Sequence, residues 1–148
     1  MTVHSVESLS DYEKSISEAK PDQLVLVDFY ATWCPPCKAI APYLDDLSNE
    51  HVDVTFLKVD VDKVKDVAIK EDVKSMPTFV CYLDGKMTYK FVGADKERIL
   101  DVIKNKGTSN LPERSNINWV RIVMWIFLGL YYFYKNGVLQ EWMKKIGL

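Results

Sequence analysis

Cysteine and histidine are scarce in this sequence, and each scarcity excludes a class of protein. Three cysteines, Cys34, Cys37 and Cys81, in 148 residues do not make the dense, even-numbered disulfide framework of a small secreted domain. The two histidines, His4 and His51, are isolated and read as surface residues, so a structural zinc site lacks its four ligands. The opening stretch MTVHSVESLSDYEK has no apolar run for a secretory signal. Its three acidic residues and lack of arginine also count against a mitochondrial transit sequence. The body of the protein is therefore expected in a reducing compartment. No internal repeat is present.

Excess charge of one sign is also missing, although the formal net charge of −2 hides an asymmetry. Residues 1–106 carry 14 Lys+Arg against 19 Asp+Glu, a net of −5, and residues 107–148 carry 5 against 2, a net of +3. The acidic body has no basic face for nucleic acid, which is excluded as the main partner. The basic, aromatic tail leaves an anionic membrane surface open as one. At 48% hydrophobic and 27% charged residues the composition is that of a globular protein.

What is present is an alternation of apolar runs and helical periods. Ser8 or Ser10 can cap a helix carrying Leu9, Tyr12, Ile16 and Ala19 on one face. Residues 24–30 (LVLVDFY) are an unbroken β-branched and aromatic run, the pattern of a strand buried on both faces. A helix over 35–49 follows, with Ile40, Tyr43, Leu44 and Leu47 as its core stripe. A second central strand is predicted at 54–59, and Asp62 is expected to cap a helix through Val67, Ala68 and Glu71. Residues 78–83 and 87–92 are short strands joined by Asp84-Gly85, a hairpin signal. A last helix starts at Asp95. This order predicts an α/β domain with a mixed central sheet flanked by helices.

Cys34-Pro35-Pro36-Cys37 sits where a buried strand gives way to a helix. Unpaired N–H groups and the dipole at that helix end favour a thiolate, so the pKa of the first cysteine falls. The second cysteine, one turn inside, can attack the mixed disulfide that the first forms. Cys34 is thus the nucleophile and Cys37 the resolving thiol. Pro35 suits the first helical turn, where a missing N–H costs the helix nothing. Cys81, alternating with Phe79 and Leu83, reads as a buried structural cysteine.

The stretch 27–42 (VDFYATWCPPCKAIAP) resembles the active-site signature of the thioredoxins, in which Asp, Phe, Ala, Trp, Cys, Pro, Cys and Lys recur at these spacings. Lys58, Met76-Pro77-Thr78-Phe79, Asp84-Gly85 and Val92-Gly93-Ala94 extend the likeness over about 3–106, and it is strongest to small eukaryotic cytosolic thioredoxins. The resemblance implies the thioredoxin fold and a protein-disulfide reductase that binds no cofactor. Its electrons would come from NADPH through a flavin-dependent thioredoxin reductase. Carried over by position, Cys34 and Cys37 are the redox pair. Asp28 is the family's buried carboxylate, its pKa raised by burial, acting as general base toward the resolving thiol. Lys58 would tune that carboxylate. Pro77 would be the cis proline opposite the dithiol, and Trp33, Met76, Pro77 and Gly93 would border a substrate groove. Pro36 fits the pattern, whereas Pro35 stands where the family usually has glycine. Fewer N–H donors near Cys34 would raise its thiol pKa, and a stiffer turn would act on the reduction potential as well.

Residues 119–134 (WVRIVMWIFLGLYYFY) are broken only by Arg121 and have no polar face from 122 onward. A spanning helix needs about 20 residues. With Arg121 and Lys135 snorkelling, and Trp119, Tyr131, Tyr132 and Tyr134 at the interfaces, 117–138 is expected to be a transmembrane segment resembling a tail anchor. An interfacial helix and a helix packed on the domain are the rival readings. The expected organisation is a domain over 1–106, a polar linker over 107–116, the span over 117–138 and a short amphipathic segment over 139–148. The reading as a whole is a single-pass, membrane-anchored thioredoxin facing the cytosol, on the mitochondrial outer membrane or the endoplasmic reticulum. Its expected partners are thioredoxin reductase and disulfide-containing clients such as peroxiredoxins. A lumenal disulfide oxidase or isomerase, and a non-catalytic thioredoxin-fold scaffold, are the alternatives.

Overall fold

The computed structural model of the chain describes residues 3–111 and 119–135, which fall into two units divided between Leu111 and Pro112. The first unit holds β1 (His4–Ser5), α1 (Leu9–Ser17), β2 (Leu24–Tyr30), α2 (Pro35–Glu50), β3 (Thr55–Asp60), α3 (Lys65–Lys70), β4 (Thr78–Leu83), β5 (Lys86–Val92) and α4 (Lys96–Lys104). Local chemistry starts most of the helices. Ser8 in extended conformation accepts from the Asp11 N–H, and Asp95 accepts from the Arg98 N–H. The hairpin turn places both Asp84 and Gly85 at positive φ.

Two sequence expectations change. Asp62 does not cap α3, whose N-cap is Val64 without a side-chain hydrogen bond. Residues 60–64 are instead wound into a turn on Asp60: its carbonyl accepts from the N–H groups of Lys63 and Val64, and its carboxylate from that of Asp62. The helix therefore begins later. β1, absent from the sequence reading, is two residues long and too short to show a period.

The sheet order is β1-β3-β2-β4-β5. β1, β3 and β2 run parallel, and β4 and β5 are antiparallel to their neighbours. Because strand side chains alternate, β2 sends Leu24 and Leu26 into a core with Ile40, Leu44 and Leu47 of α2 and Ile99, Val102 and Ile103 of α4. Val25, Val27 and Phe29 point the other way, into a core with Tyr12 and Ile16 of α1 and Val67 of α3. β2 is thus sandwiched between two helical layers, which explains its unbroken apolar run. Cys81 is buried in the first core beside Phe79, and burial pushes its thiol up to about 12.

Residues 105–111 fold back onto α4. The Gly107 N–H donates to the Val102 carbonyl and the Thr88 hydroxyl to the Gly107 carbonyl. Asp101 accepts from the Ser109 hydroxyl, the Asn110 N–H and the Asn105 amide. Lys106 pairs with Asp22. Gly107 has a φ of 83°, and an added Cβ would lie 2.6 Å from the Thr88 hydroxyl and 2.9 Å from Leu24. Glycine is what lets the strap lie this close.

The second unit contains α5 (Trp119–Lys135), along which Val123, Met124, Trp125, Ile126, Phe127, Leu128, Tyr131 and Tyr132 are exposed. No helix among the described residues is long and apolar enough to cross a membrane. Residues 112–118 and 136–148, which hold the rest of the expected linker and span and the amphipathic segment, lie outside the described residues.

Candidate active site

The carboxyl ends of the parallel strands β2 and β3 and the amino end of α2 meet at one edge of the sheet, where open α/β sheets place their chemistry. Ala31 to Trp33 turn the chain from β2 into α2, and Cys34 is the N-cap, with its N–H on the Ala31 carbonyl. Pro35 and Pro36 fill the first two helical positions. Neither has an N–H, so the Cys37 N–H, 3.2 Å away, is the backbone donor to the Cys34 sulfur. Cys34 and Cys37 are joined as a disulfide. Both are only 3% exposed although Trp33, Pro35 and Pro36 around them are open to solvent. Ala31, Tyr30, Val61 and Met76 make the apolar surroundings of the pair.

Asp28 follows Leu24 and Leu26 by strand alternation, onto the face covered by α2, where Cys37, Ile40, Leu44 and Leu47 form the buried stripe. Asp28 is 7% exposed and its Oδ1 has no hydrogen-bond partner. Desolvation pushes its carboxyl up to about 7, even though the positive charge of Lys58 pulls the other way. Lys58 is the register partner of Asp28 on β3. The sequence thus brings a poorly solvated acid and one compensating cation under the amino end of α2.

Opposite the pair, the Met76-Pro77 bond is cis, Met76 packs on the cysteine cluster and Pro77 is buried. The Gly93 N–H donates to the Pro77 carbonyl at 2.8 Å, and Gly93 has a φ of 106°. Trp33, 63% exposed, donates its indole N–H to the Asp62 carboxylate at 2.8 Å. Sequence reasoning names Trp33, Met76, Pro77 and Gly93 but misses Val61 and Tyr30 as neighbours of the pair and Asp62 as the partner of Trp33. The available signal was positional: these three close β2 or follow β3, so they arrive at the same sheet edge as the cysteines.

A dithiol at a helix amino end beside a buried acid can exchange with disulfides and needs no bound group to do so. Among the described residues no cluster of three or more His, Cys, Asp or Glu is placed to hold a metal ion.

The comparisons with known proteins agree with this geometry. The thioredoxin family model matches residues 3–105. The chain is 47% identical to a thioredoxin of Gallus gallus over 103 residues, covering 70% of this chain and 97% of that protein. It is 45% identical to thioredoxin-2 of Saccharomyces cerevisiae over 101 residues, with 68% and 95% covered. The X-ray structure of Fasciola hepatica thioredoxin superimposes with a TM-score of 0.68 at 39% identity, covering 70% of this chain and 99% of that one. Members of the family act through their own dithiol without a cofactor, and interact with thioredoxin reductase and disulfide clients. The chain belongs to the thioredoxin family and is a protein-disulfide oxidoreductase working through Cys34 and Cys37.

Proposed function

We propose that the chain is a membrane-tethered reductase of protein disulfides whose thioredoxin domain faces the cytosol. In the reduced form the Cys34 thiolate attacks one sulfur of a client disulfide. A mixed disulfide forms and one client thiol leaves. Asp28 then takes the proton of Cys37, whose thiolate attacks the Cys34 sulfur, releasing the second client thiol and closing the Cys34–Cys37 disulfide. Two electrons have passed to the client, and thioredoxin reductase returns two from NADPH. The observation that carries the reading is Asp28, a buried acid poised at about 7 on the face that Cys37 shares. A base that titrates near neutral pH suits proton transfer from a thiol. Lys58 tunes this acid, and Trp33, Met76, Pro77 and Gly93 border the groove for the client chain, peroxiredoxins being one candidate class.

The membrane part rests on α5, whose apolar side chains are exposed around the helix. Its 17 residues reach about 26 Å, short of the roughly 30 Å hydrocarbon core. The proposed span of 117–138, about 33 Å long if helical, reaches across. Tethering would raise the local concentration of reductant near membrane-bound clients. The outer mitochondrial membrane and the endoplasmic reticulum are the two candidate sites.

The test is Cys37→Ser in the full chain in cells, which should trap mixed disulfides with clients; trapping none would sink the reductase reading. Protease treatment of isolated membranes should digest the domain, and a shielded domain would favour the lumenal oxidase. The potential of the Cys34/Cys37 couple should lie near the thioredoxin end, about −270 mV, rather than near about −120 mV.

A further inference from the structure

The segment that carries Met76 and Pro77 is held from behind by a polar knot that thiol exchange does not use. Helix α3 ends in a backbone cap, followed by one from a side chain. Asp72, in left-handed conformation at φ 48°, donates to the Ile69 carbonyl, and Val73 donates to that of Ala68. This pair of bonds is a Schellman termination. Past the helix, the carbonyls of Glu71 and Asp72 both accept from the Lys90 ammonium, at 2.5 and 3.0 Å. Lys90 lies on β5 as the register partner of Val80, so it reaches past β4 to the negative end of α3.

At the end of the helix the C-cap residue is buried. Glu71 is 9% exposed, and Tyr12 of α1 and Tyr82 of β4 are buried beside it with their hydroxyls 2.9 Å apart. Burial, and with it the Glu71 carboxylate, raises both phenol pKa values, so the two hydroxyls stay protonated. Lys70 pairs with Glu13 of α1 at 2.5 Å. Three elements are therefore tied to one point of chain, from which 73–77 starts. The far end of the segment is also tied: the Thr78 hydroxyl donates to the Ser75 carbonyl at 2.7 Å and the Gly93 N–H to that of Pro77.

We propose that Lys90, seated on the Tyr12–Tyr82–Glu71 knot, is a positioning residue for segment 73–77, fixing the edge along which the backbone of a client chain lies opposite Cys34. The proposal rests on Met76 and Pro77 lining the client groove. It separates two properties of the enzyme. Recognition of an extended polypeptide depends on Lys90, whereas exchange with a small disulfide, which makes no use of the groove, does not.

The experiment compares the full-length chain with Lys90→Met, Lys90→Arg, Glu71→Gln and Met76→Ala. Each is assayed with insulin and with a small aromatic disulfide. Lys90→Met should raise KM for insulin about fivefold to tenfold with kcat held within about twofold. Its rate with the small disulfide should be unchanged, and Lys90→Arg, which keeps the donors, should restore the insulin KM. Glu71→Gln, which keeps the shape but not the charge, should give a smaller rise. If Met76→Ala raises KM for insulin while Lys90→Met does not, the groove stands and the positioning role of Lys90 is overturned. If neither changes KM, the groove reading itself fails and the proposal falls with it. A Lys90→Met protein that is equally slow with both substrates would place Lys90 with the dithiol instead, and also overturn it.

Discussion

Asp28 and Lys58 face each other in register across β2 and β3, one acid and one base at the buried edge of the redox centre. Burial outweighs the lysine, and the Asp28 carboxyl rises to about 7. The folded protein therefore holds a proton that the unfolded chain releases near pH 4. Stability contributed by that proton is fully present below pH 4 and is lost as pH rises to about 7. Asp28→Asn should remove this dependence. The variant should gain stability over the parent at pH 8.5 by on the order of 4 kcal/mol at most, and little at pH 4. Urea denaturation at the two pH values measures it. Resolution of the mixed disulfide should accelerate through pH 7 in the parent and lose that inflection in Asp28→Asn.

Gly107 should not tolerate a side chain. Its φ of 83° is strained for any other residue, and a Cβ would collide with the Thr88 hydroxyl and Leu24. Gly107→Ala should cost about 1–3 kcal/mol, measured as a lower denaturant midpoint with unchanged slope.

Asp101 should hold the strap over 105–111 by charge-assisted hydrogen bonds. Its carboxyl is kept below the ordinary aspartate pKa, first by the Ser109 hydroxyl and then by the backbone N–H groups of Asn110 and Leu111 and the Asn105 amide. That stabilisation is present above the unfolded pKa and lost as pH falls through the lower, folded one. Asp101→Ala should speed amide exchange at Asn110 and tryptic cleavage after Lys104 and Lys106 at neutral pH. Exchange in β2 and β4 should not change.

The exposed face of α5 should decide membrane association. Replacing Ile126 or Leu128 by Arg should release the chain from vesicles in a flotation assay, because a charge near the middle of a span costs about 2.5–3.5 kcal/mol. The disulfide-reducing activity of the domain should be unaffected.

The redox pair was legible in the sequence because its chemistry is local. Four consecutive residues set the spacing of the thiols, a strand before and a helix after set the dipole, and Pro35 and Pro36 remove two donors within the same turn. Asp28 was legible for a similar reason, since an acid inside LVLVDFY has nowhere to go but the interior. The Asp62 partner of Trp33 was not legible. Asp62 read as a helix cap until the turn on Asp60 displaced the start of α3 and left its carboxylate to the indole. The strap on Asp101 read as linker, because GTSNLPERSN carries the composition of a loop and no sign of what it binds.

By itself the sequence determined the order of elements from α1 to α4, the identity of the dithiol and the burial of its acid, all of which follow from periods and residue types within one or two turns of chain. Only the tertiary structure decided which charges meet. The sheet order β1-β3-β2-β4-β5 sets Lys58 beside Asp28, carries Lys90 across to the end of α3 and lays Gly107 against the start of β2. Polar pairing depends on separations of about 3 Å between groups distant in the chain, and only the packed sheet fixes those.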